Sequence, residues 1–311
     1  MSRIHDALKK AEEQNVAKFG SAAEAAPVEP SELEFPEIAL EVMAGVQPAA
    51  AAVAPGVVEK RPPSAGDAFF QNCPKAVWHP TKDALFMVAQ DNHAPGLEEF
   101  RTLRSKLFQI RAKRPLKTLL ISSALPGEGK SFVSANLALA FARQRGGRTL
   151  LIDADLRKPR LHELFGAPVK PGLFEYLSGK AEEFDIIQRS PVDDLFFVPG
   201  GYVSSSAAEL IGNGKLELMI DRLSRLFSWI VIDSSPVIPV SDPTRLAQFS
   251  DGVLLVVRAG ATPHLVVERA KREFHDAPLL GIVFNQVSTT GNPYYRYKYG
   301  EYGRGYGSSE L

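Results

Sequence analysis

Between residues 97 and 285 the chain switches repeatedly between two apolar spacings. Short, mostly apolar runs stand at Thr118–Ile121, Thr149–Ile152, Leu195–Val198, Trp229–Ile232, Val253–Val257 and Leu280–Phe284. Each reads as a strand with no polar face, and hence as one buried on both sides. Helical spacing lies between them. Residues 97–113 carry it through Phe100, Leu103, Leu107 and Ile110. It returns in 131–144, where Gly146 and Gly147 end it, in 209–227 with a weak spot at Gly212 to Gly214, and in 263–274; Gly172 to Ser178 reads as a short helix start. Apolar strands alternating with helices predict an α/β fold, a mostly parallel sheet covered by helices on both faces. A ligand of such a sheet belongs at the carboxyl ends of the strands. There the chain places a glycine-containing loop, Asp153 and Asp155, Asp233, and Asn285.

Outside this span the pattern changes. Residues 1–18 read as a short amphipathic helix with Ile4, Leu8 and Ala11 on one face, serving either as a frayed terminus or as a docking helix for a partner. Residues 19–85 are rich in Ala, Pro and Glu, with seven prolines between Ser21 and Gly66. Such a stretch buries too little apolar surface to offset its ordering entropy and reads as a disordered linker. Phe69, Phe70 and Trp78, near its end, are the residues expected to dock back onto the folded part. Residues 86–291 form the expected folded domain. Residues 292–311 carry six of the eight tyrosines, Tyr294, Tyr295, Tyr297, Tyr299, Tyr302 and Tyr306, among glycines that deny them a regular element.

The loop after the first strand carries the strongest chemical signal. Residues 117–136 run strand, then Ala-Leu-Pro-Gly-Glu-Gly-Lys-Ser, then helix, which is the setting of a phosphate-binding loop. Gly127 and Gly129 would let the backbone approach phosphate closely. The loop and helix start, from Pro126 through Glu128 to Phe132, would surround the anion, with backbone N–H groups donating from Gly127 onward. Lys130 would reach the β- and γ-phosphates of ATP, and the Ser131 hydroxyl would ligate Mg²⁺. One departure stands out: Ala124 occupies the place of the first glycine.

Asp153, Asp155 and Asp233 converge on this loop. Alone they would repel one another and lose hydration; a divalent cation resolves that conflict, and Mg²⁺ suits one or two carboxylates, a hydroxyl and phosphate oxygens. A carboxylate not fully engaged by the metal could accept a proton from an attacking hydroxyl. The plainer alternative is that Asp153 and Asp155 only cap the following helix.

Composition narrows the remaining options. The chain has 311 residues, 36 basic and 36 acidic, so no bulk positive field speaks for nucleic acid. The single cysteine, Cys73, gives no internal disulfide, and the histidines lack metal-ligand spacing. No apolar run reaches the ~18–20 residues that span a bilayer. The charged start lacks the apolar stretch of a signal peptide. A cytoplasmic location is expected, with recruitment to the inner face of the plasma membrane through a partner. Arg296, Lys298 and Arg304 are too few to make the tail a nucleic-acid arm. A row of phenols beside an ATP site is better explained as phosphoacceptors, each phosphate adding about −1.5 to −2 charges.

These residues resemble the bacterial tyrosine kinases of capsule and exopolysaccharide synthesis, most closely the stand-alone type found with exosortase-linked loci. Residues 95–306 carry the resemblance. Ala124 to Ser131 is similar to the family's Walker A, whose first position is often not glycine. Residues 150–157 are similar to its Walker A′, residues 230–236 to its Walker B, and the tyrosine tail to its autophosphorylation cluster. The resemblance implies a P-loop NTPase fold of MinD/ParA type, with ATP and Mg²⁺ as cofactors. It implies Asp153 as catalytic base, Asp155 and Asp233 at the Mg²⁺ site, and Asn285 at adenine. It implies that Glu98, Arg101 and Arg104 serve between subunits of a ring, whereas their spacing alone suggests a self-paired, solvated helix face. The implied partners are a transmembrane polysaccharide co-polymerase as activator and a tyrosine phosphatase. Two departures remain: Ser235 stands where Walker B commonly has proline, and residues 204–210 follow Asn-Pro-x-Glu-Leu only loosely. The competing class is a MinD/ParA-type positioning ATPase, which carries a signature lysine where this chain has Leu125.

Overall fold

The computed structural model describes residues 65–80, 96–144, 146–203 and 206–287. In chain order these form α1 (Ala65–Asn72), α2 (Leu97–Arg111), β1 (Thr118–Ser123), α3 (Lys130–Ala142), β2 (Thr149–Asp153), α4 (Leu161–Phe165), α5 (Leu173–Leu177), α6 (Glu183–Ile186), β3 (Gln188–Arg189) and β4 (Leu195–Val198). They continue with α7 (Ala207–Gly212), α8 (Lys215–Ser224), β5 (Trp229–Pro236), α9 (Asp242–Ala247), β6 (Gly252–Arg258), α10 (His264–Glu273) and β7 (Leu279–Asn285). Among the described residues the strands make one seven-stranded sheet in the order β3-β4-β2-β5-β1-β6-β7. Every pairing is parallel except β3 with β4.

Strand periodicity explains why the apolar runs are continuous. Alternate side chains point to opposite faces, and both faces are covered. Leu120, Ile152, Val198, Ile232 and Leu255 join one apolar cluster. Leu119, Ile121, Leu151, Phe197, Val231 and Leu254 join the other. The second cluster includes buried residues of α2 and α3, and the first those of α8, α9 and α10. α3 is buried from Val133 to Ala142, because it lies against the sheet and α2 at once. That double burial is why its sequence reads as apolar around much of its circumference.

The expected helix over 209–227 is two helices. Gly214 adopts φ 80°, so the chain leaves α7 and enters α8 through a left-handed residue at the weak spot the glycines mark. The short α4, α6 and α9 and the antiparallel β3 carry too few residues for a periodicity to show.

The folded part begins earlier than residue 86. Residues 65–80, assigned to the linker by composition, wrap the β3 edge of the sheet. Phe70 and Cys73 lie in one apolar cluster and Trp78 in the other. Between them Lys75 bridges to Arg189 in parallel; Arg189 N donates to Pro74 O at 2.8 Å and Ala76 N to Arg189 O at 3.2 Å. The strap thus satisfies backbone groups that an open edge would leave exposed. Phe70 packs tilted against Phe196 (5.0 Å) and edge-on against Phe227 (5.3 Å), and Trp78 tilted against Phe165 (4.6 Å) and edge-on against Phe197 (5.7 Å). Averaging composition over 19–85 hides this local aromatic density. Burial also pushes the Cys73 thiol up to about 11, so it behaves as a packing group rather than a nucleophile. The proposed N-terminal helix over 1–18 and the tyrosine tail lie outside the described residues.

Replacing Trp78 by Ala should cost about 3–5 kcal/mol, the usual range for emptying a buried large aromatic site. Urea unfolding followed by circular dichroism would show it as an earlier midpoint, and an unchanged midpoint would mean that the strap adds nothing to the fold.

Candidate active site

β1 delivers the chain into the loop, and the loop into α3. Ala124 is fully buried in an apolar cluster, so a small side chain is accommodated where the common pattern has glycine. Gly127 (φ 84°) and Gly129 (φ 88°) are both left-handed. At Gly129 a Cβ would also stand 2.0 Å from Asn285 Nδ2, so glycine is required there twice over. Lys130, Ser131 and Phe132 open α3, and the first N–H groups of a helix point out along its axis. With the helix dipole behind them they favour an anion.

The loop is fastened from outside. Glu128 is 2% exposed, and its side chain turns into the protein. Its Oε2 accepts from Leu125 N at 2.7 Å; its Oε1 accepts from Arg258 N at 3.3 Å and from the Thr262 hydroxyl. Any ligand role of Glu128 therefore belongs to its backbone, while its carboxylate ties the loop to the end of β6. Asn285 Nδ2 donates to Glu128 O at 2.9 Å, and Gln286 Nε2 to Gly127 O at 3.2 Å. Asn285, expected at adenine, is thus also a brace between β7 and the loop. Pro126 is exposed at the loop tip, and the Phe132 ring packs against Phe100 at 5.9 Å.

Parallel register brings the carboxylates together. Asp153 ends β2 directly beside Asp233 of β5, and Asp233 also pairs with Ile121 of β1. Adjacent strands are about 4.8 Å apart, so Asp153 and Asp233 are close like charges, both fully buried. Burial, then the Asp233 carboxylate, holds Asp153 well above the usual carboxylate range; the Leu161 N–H opposes this. Burial likewise raises Asp233, against the Lys130 ammonium and hydrogen bonds from Ser131 and Ser134. Lys130 Nζ lies 2.8 Å from Asp155 Oδ2, 3.9 Å from Asp233 Oδ2 and 3.3 Å from Ser131 Oγ. Burial alone would lower the Lys130 pKa, but the Asp233 and Asp155 carboxylates outweigh it and the net shift is upward. The ammonium thus stays charged and offsets the carboxylates around it.

Asp153 and Asp155 also do the capping that their position allows. Asp153 Oδ2 accepts from Arg160 N (3.1 Å) and Leu161 N (3.0 Å) at the start of α4, and Oδ1 from Asp155 N (3.3 Å). A carboxylate offers about four acceptor positions, so Asp153 keeps one beyond these three bonds. Asp155 Oδ1 accepts from Lys158 N at 3.1 Å and Ser235 Oγ at 3.2 Å. Asp233 Oδ1 accepts from Ser134 at 3.0 Å, while its buried Oδ2 has no hydrogen-bond partner.

Three further participants come from the structure. Ser134 lies one helical turn beyond Lys130 on the same face, a spacing that could have flagged it. Arg157 grips the buried Asp242 through Nε (2.7 Å) and Nη2 (3.3 Å), fixing the turn after β2 to α9; nothing near either residue in the chain announces this pair. Ser235 touches Asp155 directly. The helix-face residues separate: Glu98 and Arg101 pair at 3.2 Å on the surface, while Arg104 Nη1 donates to Ala140 O at 2.9 Å at the end of α3. Arg104 is therefore a brace within its own chain, because its long side chain reaches the last carbonyls of α3.

Comparison with known proteins bears on the family and the fold. Residues 119–293 match the family described as "CobQ/CobB/MinD/ParA nucleotide binding domain". The chain is 35% identical over 217 residues to the "Putative tyrosine-protein kinase EpsB" of Ralstonia solanacearum, covering 67% of this chain but only 29% of that one. It is 34% identical to the "Putative tyrosine-protein kinase CapB" of Staphylococcus aureus, over 66% of this chain and 90% of that protein. It is 38% identical to the "Tyrosine-protein kinase CpsD" of Streptococcus agalactiae, over 67% and 90%. The kinase domain of Escherichia coli tyrosine kinase ETK superposes with a TM-score of 0.63 at 28% identity, over 69% of this chain and 85% of that one.

Replacing Glu128 by Ala should strip acceptors from two backbone N–H groups and a hydroxyl at once, at ~1–3 kcal/mol for each buried group left unsatisfied. Chemical unfolding would record that loss, and stability equal to the parent would show that the fastening is dispensable. With a nucleotide-binding fold, a phosphate-type loop, and CapB and CpsD matched over 90% of their length, the chain belongs to the bacterial tyrosine-protein kinases of the CobQ/CobB/MinD/ParA nucleotide-binding family.

Proposed function

We propose that this chain is an ATP-dependent protein tyrosine autokinase that phosphorylates its C-terminal tyrosines and thereby regulates exopolysaccharide polymerisation and export. The observation that carries the proposal is the joining of Lys130, Asp155 and Asp233 at the mouth of the glycine loop. The donor set fits Mg²⁺. It offers one or two carboxylates and a hydroxyl, with one buried Asp233 oxygen left without a hydrogen bond. Ser131, Asp155 and Asp233 would hold it, and when bound it supplies charge neutralisation at the phosphates.

The chain's own residues divide the remaining work. The loop N–H groups and the start of α3 hold the phosphates, and Lys130 offsets negative charge there. Asp153 takes the proton of the attacking phenol: it keeps an acceptor position, and burial beside Asp233 makes it more basic than an ordinary carboxylate. Asn285 faces the loop from β7, on the side assigned to adenine. Tyr294, Tyr295, Tyr297, Tyr299, Tyr302 and Tyr306 are the acceptors, reached in trans within a ring to which Glu98 and Arg101 contribute exposed charges. A transmembrane co-polymerase activates the kinase at the inner membrane face, and a tyrosine phosphatase reverses it. No described helix is long and apolar enough to cross a membrane, so the chain's own described part supplies no such anchor.

A positioning ATPase would need a lysine at position 125. Here Leu125 packs against an apolar cluster, and its N–H serves the Glu128 brace. That arrangement favours the kinase.

Incubation with ATP, Mg²⁺ and a fragment of the activator should place phosphotyrosine in the tail, detected by mass spectrometry. Lys130→Met should lower transfer by roughly 10²–10³-fold, the scale for losing one transition-state charge partner. The six-fold Tyr→Phe variant should bind ATP normally and accept no phosphate in the tail. Nucleotide binding without any phosphotyrosine would reject the proposal.

A further inference from the structure

Ser235 occupies a place where the strand geometry re-aims a side chain. β1 and β5 pair Ile121 with Asp233 and then Ser123 with Pro236, with a break in register between. Two residues of β5, Ser234 and Ser235, thus oppose the single Ser122 of β1, which is the signature of a bulge. Bulges turn a residue out of the regular alternation and are used next to sites for that purpose. The backbone around it is held. The Ser122 hydroxyl donates to Ser235 O at 2.9 Å, and the Ser234 hydroxyl lies 3.0 Å from Ile121 O and 3.2 Å from Ser235 O.

From this clamped backbone the Ser235 hydroxyl donates to Asp155 Oδ1 at 3.2 Å, with Ser235 only 2% exposed. The Lys158 N–H reaches the same oxygen at 3.1 Å. Oδ1 therefore receives two hydrogen bonds, and the carboxylate presents Oδ2 to the Lys130 ammonium at 2.8 Å. Rotating the Asp155 carboxyl would break both bonds. Without the hydroxyl, the Lys158 N–H would be the one remaining donor to Oδ1, with Lys130 still on Oδ2. A proline at this position would have no hydroxyl to offer, so the coupling between the β5 end and the β2 turn depends on the serine side chain.

We propose that Ser235 is a positioning residue that locks the Asp155 carboxylate for cation binding and so sets the Mg²⁺ dependence of nucleotide binding. The inference rests on the reading of Asp155 as part of the Mg²⁺ site. Ser235 acts through Asp155, its side-chain hydrogen-bond partner. Its hydroxyl is small, and the clamp on its backbone is independent of it. Removing the hydroxyl should thus loosen one carboxylate and leave the loop in place.

The test uses the full chain and a fluorescent ADP analogue, titrated with Mg²⁺ and in parallel with EDTA. Ser235→Ala should raise the Mg²⁺ concentration needed for half-maximal enhancement of binding by about 10-fold, the lower end of the effect of losing a residue that orients a metal ligand. Nucleotide affinity in EDTA and the melting temperature of the metal-free protein should stay at parental values. Ser235→Thr, which keeps the hydroxyl, should restore the Mg²⁺ response. In an Asp155→Asn background, Ser235→Ala should add no further change, because the two residues act as one unit. An unchanged Mg²⁺ response in Ser235→Ala would overturn the inference. So would an equal loss of metal-free affinity and melting temperature, which would mark Ser235 as a purely structural residue. A parent protein whose nucleotide binding ignores Mg²⁺ would instead reject the underlying reading of Asp155.

Discussion

Three carboxylates and one ammonium share a few ångströms at the ends of β1, β2 and β5. Parallel pairing in register forces Asp153 and Asp233 side by side, out of water, where like charges are costly. Lys130 offsets part of that cost, and serine hydroxyls and backbone N–H groups offset more. The loop, the start of α3 and the turns after β2 and β5 are all arranged about this cluster. A buried set of charges with one oxygen lacking a hydrogen bond suits binding better than stability, because breaking any one partner leaves a charge uncompensated.

Holding such a cluster needs a rigid frame, and much of the polar network outside it serves that end. Glu128 and Asn285 pin the loop to the ends of β6 and β7. Arg157 and Asp242 pin the turn after β2 to α9. The bulge at Ser234 and Ser235, clamped by the Ser122 hydroxyl, fixes the end of β5. Each brace joins segments far apart in the chain, so the site behaves as a property of the whole sheet. Preorganisation of this kind lowers what must be reordered when phosphate charge arrives.

The strap at residues 65–80 closes the sheet at its β3 edge. It places Phe70 on one face and Trp78 on the other, so both cores are sealed by a segment that precedes the repeating strand–helix pattern. The aromatic contacts are not local: Trp78 meets Phe165 and Phe197, which lie in different elements.

Local spacing was enough to read six of the seven strands, their alternation with helices, the phosphate loop and the carboxylates at the strand ends. All of these depend on local spacing: a strand buried on both faces must be apolar throughout, and a loop that nears phosphate needs Gly127 and Gly129. It also marked Ser235 and Ala124 as departures without saying what they do. Only the tertiary structure decided that Ala124 is a core residue, that Glu128 faces inward, that Arg104 braces α3, and that residues 65–80 are folded. The strand order and the bond from Ser235 to Asp155 belong to the same group. Each depends on which distant segments meet, and a periodicity of two or of 3.6 residues carries no information about that.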